Sequence, residues 1–207
     1  MMHKRITVVD YGAGNIGSVL NMIRKVDGQA VSSGQSDELL KAEKILLPGV
    51  GSFDNAMSRL KNLALIEVLQ ERAEAGVPFF GICLGMQLLS NSSEEGTLPG
   101  LGLIPGSVRR FKFDAEQAHL KIPHMGWNRA EPLREHSLCK GLENDARFYF
   151  VHSYFYECEK PEHVLFKSTY GSDFASGIQR ENVMGVQFHP EKSHRYGMQL
   201  LKNFIEL

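Results

Sequence analysis

The stretch Gly81-Ile82-Cys83-Leu84-Gly85-Met86-Gln87 decides the fold of this 207-residue chain. It follows the apolar run Val77-Pro78-Phe79-Phe80 and leads into Leu88-Leu89, a pattern that predicts a strand, a sharp turn and a helix. Two small residues around a nucleophile at such a turn are typical of a nucleophile elbow, with cysteine here in place of serine. The flanking glycines leave room where neighbouring backbone passes close. The turn is therefore predicted to place Cys83 in a cleft at the carboxyl edge of the sheet.

Cys83 has two interpretations at this point. At the start of a helix its sulfur meets the positive end of the helix dipole and unpaired backbone N–H groups, which favour the reactive thiolate. A small cysteine buried between a strand and a helix fits the same residues, since free cysteine is among the most buried residue types.

A second stretch, Gly185-Val186-Gln187-Phe188-His189-Pro190-Glu191, favours the reactive interpretation. A cysteine nucleophile needs a basic partner, and that partner needs a group that fixes its tautomer. His189 and Glu191 stand two residues apart after an apolar run, so an extended backbone points both side chains the same way. A lone histidine is usually structural, but an elbow cysteine together with this His-Pro-Glu segment is a much more specific pair.

The composition predicts one α/β domain spanning residues 1–207, with 43% hydrophobic residues to fill its core. Lys and Arg total 23 against 24 Asp and Glu, which gives no support for a nucleic-acid partner. Cys83, Cys139 and Cys158 form no CxxC pair, which argues against disulfides and a cysteine zinc site and suits a reducing cytoplasm. After the basic start at residues 1–5, the apolar run at 6–9 is too short for a signal peptide, and no run is long enough to span a membrane.

The first eighty residues predict a β-α-β-α-β-α-β order, and hence a parallel sheet with helices on both faces. The strands fall at residues 6–9, 29–33, 44–47 and before the elbow, and the clearest helix between them spans 63–75. Residues 12–17 match G-x-G-x-x-G, the dinucleotide-binding fingerprint. We reject that function because the next strand ends in Ser32-Ser33 rather than in an acid that would bind the ribose.

The loop Pro48-Gly49-Val50-Gly51 ends the third strand at the same edge of the sheet as Cys83. Its backbone N–H groups are candidates to stabilise an oxyanion during acyl transfer. A plain connection from strand to helix explains the segment equally well.

The second half predicts an antiparallel extension of the sheet. Its strands fall at residues 108–113, 147–154, 163–169, 175–180 and 183–188, and the C-terminal helix spans 195–207. Before them, residues 90–102 are polar, and Glu94-Glu95 there reads as a solvated pair. Two motifs follow no general rule, Pro123-His-Met-Gly-Trp-Asn128 and Tyr149-Phe-Val-His-Ser-Tyr154, and core packing explains their aromatic residues as well as function does.

Gly-Ile-Cys83-Leu-Gly-Met-Gln87 and Gln-Phe-His189-Pro-Glu191 resemble the two signature segments of the Cys-His-Glu triad class of glutamine amidotransferases. More narrowly, the segments around Asp10 to Asn15, the loop after Pro48 and the two aromatic motifs are similar to the glutaminase subunits of imidazole glycerol phosphate synthases. The resemblance covers nearly the whole chain. It implies the flavodoxin-like class I amidotransferase fold, an open, mostly parallel sheet flanked by helices.

The resemblance also implies the chemistry, which is hydrolysis of glutamine to glutamate and ammonia without a cofactor or metal. Cys83 would form a γ-glutamyl thioester, His189 would move the protons, and Glu191 would orient His189. Backbone N–H groups at Leu84 and at Gly49-Val50 would bind the oxyanion. The residues implied to line the glutamine site are Gly51, Gln87, Glu95, Ser153 and Tyr154.

The implied partner is a (β/α)8-barrel cyclase that forms a heterodimer with the chain and receives the ammonia through a channel. The implied candidates for the face against it are Tyr11, Asn15, Trp127 and Tyr149. Three alternatives stay open: the same chemistry serving a sugar-amidating partner in surface-polysaccharide synthesis, a stand-alone γ-glutamyl hydrolase, and an inactive binding module.

Overall fold

The computed structural model describes residues 5–207, so most of the basic start lies outside the described residues. The strands are β1 (Ile6–Val9), β2 (Ala30–Ser33), β3 (Lys44–Gly49), β4 (Phe79–Cys83), β5 (Ser92–Ser93), β6 (Gly106–Arg110), β7 (His124–Arg129), β8 (Glu131–Pro132), β9 (Arg147–His152), β10 (Tyr154–Cys158), β11 (Val164–Tyr170), β12 (Ser172–Arg180) and β13 (Val183–Val186). The helices are α1 (Ile16–Lys25), α2 (Ser36–Leu39), α3 (Phe53–Asn62), α4 (Ile66–Glu74), α5 (Leu84–Gln87) and α6 (His194–Glu206). Within residues 5–207, no helix is long and apolar enough to cross a membrane.

The parallel half of the sheet has the order β2-β1-β3-β4-β13. Strands β1, β3, β4 and β13 are buried along their whole length, which explains why their sequences are almost continuously apolar. The predicted β-α-β order of the first eighty residues is confirmed, and the carboxyl ends of β3 and β4 meet with Gly49 opposite Cys83. The predicted strand at residues 44–47 continues to Gly49.

The antiparallel extension is also confirmed, but two of its predicted strands need correction. Beyond β13 the order continues β12-β10-β6-β5, and β11 pairs with β12. The segment 183–188 was expected to be antiparallel, but its strand β13 ends at Val186 and pairs in parallel with β4. Only its other edge, against β12, is antiparallel. This position next to β4 brings the segment after β13 to the elbow.

The predicted strand at residues 147–154 is wrong in its continuity, because the chain breaks at Ser153 into β9 and β10. Strand β10 belongs to the main sheet, whereas β9 leaves it and pairs with β7 in a separate two-stranded sheet. Strand β7 was not predicted. It contains Gly126 at φ +132°, and its exposed face carries Met125 and Trp127, so its sequence lacks the pattern of a core strand.

The predicted helix at residues 63–75 is shorter and is preceded by another. Helix α3 ends at Asn62, the chain turns through Ala64 at φ 52°, and α4 begins at Ile66. The amide of Leu65 bonds to the carbonyl oxygen of Leu60 at 2.9 Å, which closes the end of α3. Of the residues that the apolar spacing predicts on one face, Leu65, Leu69 and Ala73 are buried, whereas Ile66 is half-buried.

Two apolar clusters cover the two faces of the sheet. On one face, α1 and the predicted C-terminal helix, α6, pack on the strands; on the other, α3, α4 and α5 do. Lys44, at the start of β3, is buried beneath α6, and its Nζ donates to the carbonyl oxygens of Phe204, at 3.1 Å, and Ile205. These hydrogen bonds to carbonyl oxygens near the end of α6 fix where that helix ends on the sheet.

The elbow glycines have the steric role that the sequence predicted. A Cβ atom on Gly81 would lie 2.6 Å from the carbonyl oxygen of Gly85, and one on Gly85 would overlap the carbonyl oxygen of Leu47. The first turn of α5 therefore packs directly against the backbone of β3.

We predict that Gly85→Ala lowers the free energy of unfolding by about 3 kcal/mol or more, because the methyl group has no space beside Leu47. Gly17→Ala in α1 is the matched control. Its Cβ meets no atom within 4 Å, so alanine should raise stability by about 0.5 kcal/mol through helix propensity. Urea unfolding of both variants tests this, and equal effects would contradict it.

Candidate active site

Cys83 is the last residue of β4 and stands directly before α5. Its φ of 56° and ψ of −112° lie in a region that residues other than glycine rarely adopt, as expected of a nucleophile at an elbow. The predicted helix after it is only the single turn of α5, so the helix dipole supplies less field than expected. Other charges must therefore account for the electrostatics of the site.

His189 and Glu191 form the contact that their spacing predicted. Nδ1 of His189 lies 2.8 Å from Oε1 of Glu191, and both side chains are almost completely buried. The backbone between them is not extended as expected, because Pro190–Lys192 form a 3-10 turn. Two further bonds hold His189: its amide donates to the carbonyl oxygen of Tyr149 at 2.9 Å, and its own carbonyl accepts from Oγ of Ser193 at 2.6 Å.

The charges of this group favour a protonated His189. Burial lowers its pKa, but hydrogen-bond and charge interactions with Cys83 and Glu191 outweigh burial and raise the pKa to about 10. Its other ring nitrogen, Nε2, is buried and has no hydrogen-bond partner among residues 5–207. The imidazolium is therefore anchored at Nδ1 and retains an N–H that is available for chemistry.

The other two cysteines have different surroundings. Burial raises the pKa of the Cys139 and Cys158 thiols to about 12, so both stay protonated at neutral pH. Cys83 alone of the three lies beside the His189–Glu191 pair. Within the described residues, no three His, Cys, Asp or Glu side chains gather as metal ligands.

A cleft of about 350 Å³ opens beside Cys83 and His189. It is lined by many of the residues that the resemblance implied: Val50, Gly51, Leu84, Gln87, Glu95, Ser153 and Tyr154. Glu191 lies behind His189, and Gly49 is buried at the end of β3, so neither lines the cleft. A larger cavity of about 690 Å³ lies elsewhere, between Glu131 and Glu143, and contains none of the predicted site residues.

The loop after β3 lies against the elbow. A Cβ atom on Gly49 would approach the amide nitrogen of Gly85 to 2.7 Å, so only glycine fits there. Val50 is 47% exposed, and Gly51 has a φ of +102°. The loop therefore combines a tightly packed first residue with an open tip whose backbone borders the cleft.

The two neighbouring glutamates have separate environments. Glu94 is exposed, accepts from the Arg110 amide at 2.8 Å and pairs with Arg109 and Lys112, as expected of a solvated residue. Glu95 lines the cleft and accepts from the Phe53 amide at 2.9 Å. Burial raises the pKa of Glu95, although the bond from Phe53 opposes the rise. The expectation of a solvated pair is therefore wrong for Glu95.

Three of the four residues expected on a partner face are accessible. Trp127 is 49% exposed and stacks on His194 with ring centroids 5.4 Å apart, and the Tyr149 ring lies 6.3 Å from that of Trp127. Asn15 is exposed and caps α1 by accepting from Ser18.

Tyr11 requires a correction. Its side chain is 2% exposed, and its hydroxyl donates to the carbonyl oxygen of Pro48 at 2.9 Å. The side chain supports the loop after β3 from inside and does not belong to an accessible face.

Sequence reasoning missed several residues of the site. Pro123, Val151, His152 and Lys192 also line the cleft. The side chain of Gln187 touches Cys83, with Nε2 3.8 Å from Sγ. Gln187 lies in the segment 185–191 that was singled out for its histidine, so the sequence offered a signal for it. The sequence offered no signal for the pairing of β7 with β9, which places His152.

The family described as glutamine amidotransferase class-I matches residues 7–207. The chain is 50% identical to "Imidazole glycerol phosphate synthase subunit HisH" of Bdellovibrio bacteriovorus over 98% of this chain and 100% of the relative. It is 46% identical to subunit HisH 2 of Methanococcus maripaludis over 97% of this chain and 98% of the relative.

Solved structures give the same fold at lower identity. "Structure of PurLQS from Thermotoga maritima" is similar with a TM-score of 0.75 at 20% identity, over 99% of both chains. A glutamine amidotransferase from Thermotoga maritima has a TM-score of 0.64 at 18% identity, over 95% of this chain and 80% of its own.

We predict that the protein loses stability in mild acid through two buried histidines. Burial lowers the pKa of His124 to about 4 and that of His152 to about 3. The unfolded chain takes up these protons near pH 6.5 and the native state does not, so stability present above pH 6.5 falls as the pH drops towards 4. The slope should reach at most about 1.4 kcal/mol per pH unit for each histidine.

Urea unfolding between pH 7.5 and 4.5 measures this slope. His152→Gln should flatten it, whereas the exposed His119→Gln should leave it as in the wild type. Parallel curves for the wild type and His152→Gln would contradict the prediction.

Proposed function

This chain belongs to the class I glutamine amidotransferase family, and we propose that it is the HisH-type subunit that hydrolyses glutamine and supplies ammonia for imidazole glycerol phosphate synthesis. The observation that carries the proposal is the strained Cys83 beside a buried His189–Glu191 pair at a cleft. The three cysteines of the chain are free thiols, which suits a location in the reducing cytoplasm.

The reaction follows from the charges of the site. The Cys83 thiolate attacks the carboxamide carbon of glutamine, and the electron pair moves to oxygen. Protonated His189 donates its Nε2 proton to the departing nitrogen, ammonia leaves, and a γ-glutamyl thioester remains. Neutral His189 then takes a proton from water, the hydroxide attacks the thioester, and glutamate is released as the thiolate returns.

Glu191 stabilises the charged form of His189 throughout the cycle. The backbone N–H of Leu84, together with one from Gly49-Val50, would bind the oxyanion. Leu84 is the first residue of α5, so its N–H has no partner within the helix.

The cleft suits a free amino acid. Among the described residues that line it, Glu95 is the only acid, and its carboxylate would bind the α-ammonium group of glutamine. Gly51, Gln87, Ser153 and Tyr154 complete the walls. A volume of about 350 Å³ is at the small end of ligand sites, which matches one amino acid.

The relatives named HisH are subunits of a synthase, and we propose that this chain likewise forms a heterodimer with a (β/α)8-barrel cyclase that receives the ammonia through a channel. Met125 and Trp127 are exposed on β7, and aromatic and methionine side chains are enriched in protein interfaces. The peptide carbonyl of Tyr149, whose ring lies next to Trp127, accepts from the His189 amide, so this face adjoins the proposed catalytic group.

We predict that Cys83→Ala lowers glutamate release by about 1,000-fold or more, because no other group can form the thioester. Cys158→Ala is the matched control, since it removes a protonated thiol away from the cleft, and should change turnover by less than about twofold. Near-UV circular dichroism checks that both variants fold. Unchanged turnover in Cys83→Ala would refute the nucleophile.

We further predict that glutamate release is low for the chain alone and rises strongly with a barrel cyclase and its ribulosyl nucleotide. Trp127→Ala should weaken cyclase binding about tenfold through loss of an aromatic anchor. Leu133→Ala, which removes an equally exposed apolar side chain outside that face, should not.

Calorimetry measures cyclase binding, and a coupled assay measures glutamate release. A silent enzyme in the presence of folded cyclase would favour a sugar-amidating partner. Rapid turnover without any partner would favour an independent hydrolase.

A further inference from the structure

Gln187 follows β13 and is completely buried between the elbow and the cleft wall. The main-chain N–H of Gln187 donates to the carbonyl oxygen of Ser176 at 2.9 Å, which fixes the backbone after β13 has ended. Its side-chain Nε2 lies 3.8 Å from Sγ of Cys83, and its Oε1 accepts from Nε2 of Gln87 at 2.9 Å. The mechanism above uses none of these contacts.

The orientation of the Gln187 amide group follows from its neighbours. The main-chain carbonyl of Tyr154 can only accept a hydrogen bond, so the atom of Gln87 that lies 3.1 Å from it must be the donor nitrogen. That nitrogen uses its second hydrogen on Gln187, which must therefore present its oxygen to Gln87. Its own N–H group is left to point at the sulfur of Cys83.

The same logic fixes the histidines on the other side of the Tyr154 carbonyl. Nδ1 of His152 lies 2.6 Å from that oxygen and must carry a proton, so Nε2 of neutral His152 is an acceptor. Nδ1 of His124, 2.9 Å away, must then donate to it. The remaining Nε2 of His124 accepts from Nδ2 of Asn128 at 3.2 Å, and that amide group also donates to the carbonyl oxygen of Thr169.

We propose that Gln187 is a positioning residue for Cys83, and that a hydrogen-bonded chain from Asn128 through the His124–His152 pair, the Tyr154 carbonyl and Gln87 holds its amide N–H on the sulfur. Every link in this chain has one possible direction. The proposal rests on the proposed function only in that it takes Cys83 as the nucleophile.

An amide N–H stabilises a thiolate more than a thiol, because the bond to a charged acceptor is the stronger one. Because Gln187 is itself completely buried, no water competes for its N–H group, which makes the effect on the sulfur larger. The chain also joins Cys83 to β7, whose exposed side carries Trp127. A displacement of β7 would therefore change the donor presented to Cys83.

The test is the rate at which iodoacetamide alkylates Cys83 in the full chain, followed by mass spectrometry of the peptide. Gln187→Met removes the donor and keeps the length of the side chain, and should slow alkylation at pH 7 about tenfold. Gln187→Glu replaces the donor by a group of the same shape and should slow it further at pH 8, where two negative charges would face each other.

His152→Leu tests the rest of the chain. It should slow alkylation less than Gln187→Met does, and the double variant should be no slower than Gln187→Met alone, because both changes act through the same N–H. His163→Leu, at a buried histidine outside the chain, should alkylate at the wild-type rate. In the glutamate assay of the enzyme assembled with its cyclase, Gln187→Met should lower kcat and change KM by less than about twofold.

Wild-type alkylation rates in folded Gln187→Met or Gln187→Glu would overturn the proposal, and additive effects of His152→Leu and Gln187→Met would overturn the chain. Alkylation does not depend on glutamine hydrolysis. If the wild type released no glutamate but the order of alkylation rates held, the proposed function would fail while the role of Gln187 stood.

Discussion

The close approach of β3 to the elbow is the constraint on which the rest of the structure depends. Gly85 packs on the carbonyl of Leu47, and Gly49 has no room for a side chain against the amide of Gly85. This contact forces the chain to reverse sharply after β4 and holds Cys83 in a conformation that costs of the order of 1–3 kcal/mol. The burial of β3 and β4 offsets this cost, and their pairing places Gly49 opposite Cys83. A strained residue persists only where the surrounding fold is this well determined.

The second requirement is a place where a charged pair can be buried. Strand β13 lies parallel to β4, with Val186 in register with Ile82, so the segment that follows β13 passes beside the elbow. His189 and Glu191 pair with each other there, and the backbone of His189 is bound to Tyr149 and Ser193. A buried ion pair is stable only when its geometry is good and its remaining polar atoms have partners or a function. The unpaired Nε2 of His189 is the atom to which we assign the proton transfers.

The parts of this architecture that the sequence predicted are those set by local pattern. The elbow, the parallel half of the sheet and α6 follow from apolar periodicity and from the glycines, and they placed Cys83 correctly. What the sequence could not supply is register between distant strands. The β7–β9 ribbon, which pairs His124 with His152, depends on side chains that meet only after the sheet is built. Tyr11, which the resemblance offered for the partner face, is wrong for a related reason: its buried contact with the Pro48 carbonyl oxygen joins segments 37 residues apart.

The position of β13 has a consequence for how the protein is made. Cys83 leaves the ribosome well before its neighbour Gln187, which lies 104 residues further along the chain, and before His189. Domains form native contacts only after the participating segments have emerged, and parallel pairing across a long separation is among the slower of these events. Cys83 is therefore without His189 beside it until the segment after β13 has emerged and packed against the elbow. The order of the strands thus delays assembly of the Cys83–His189–Glu191 group until β13 has paired with β4.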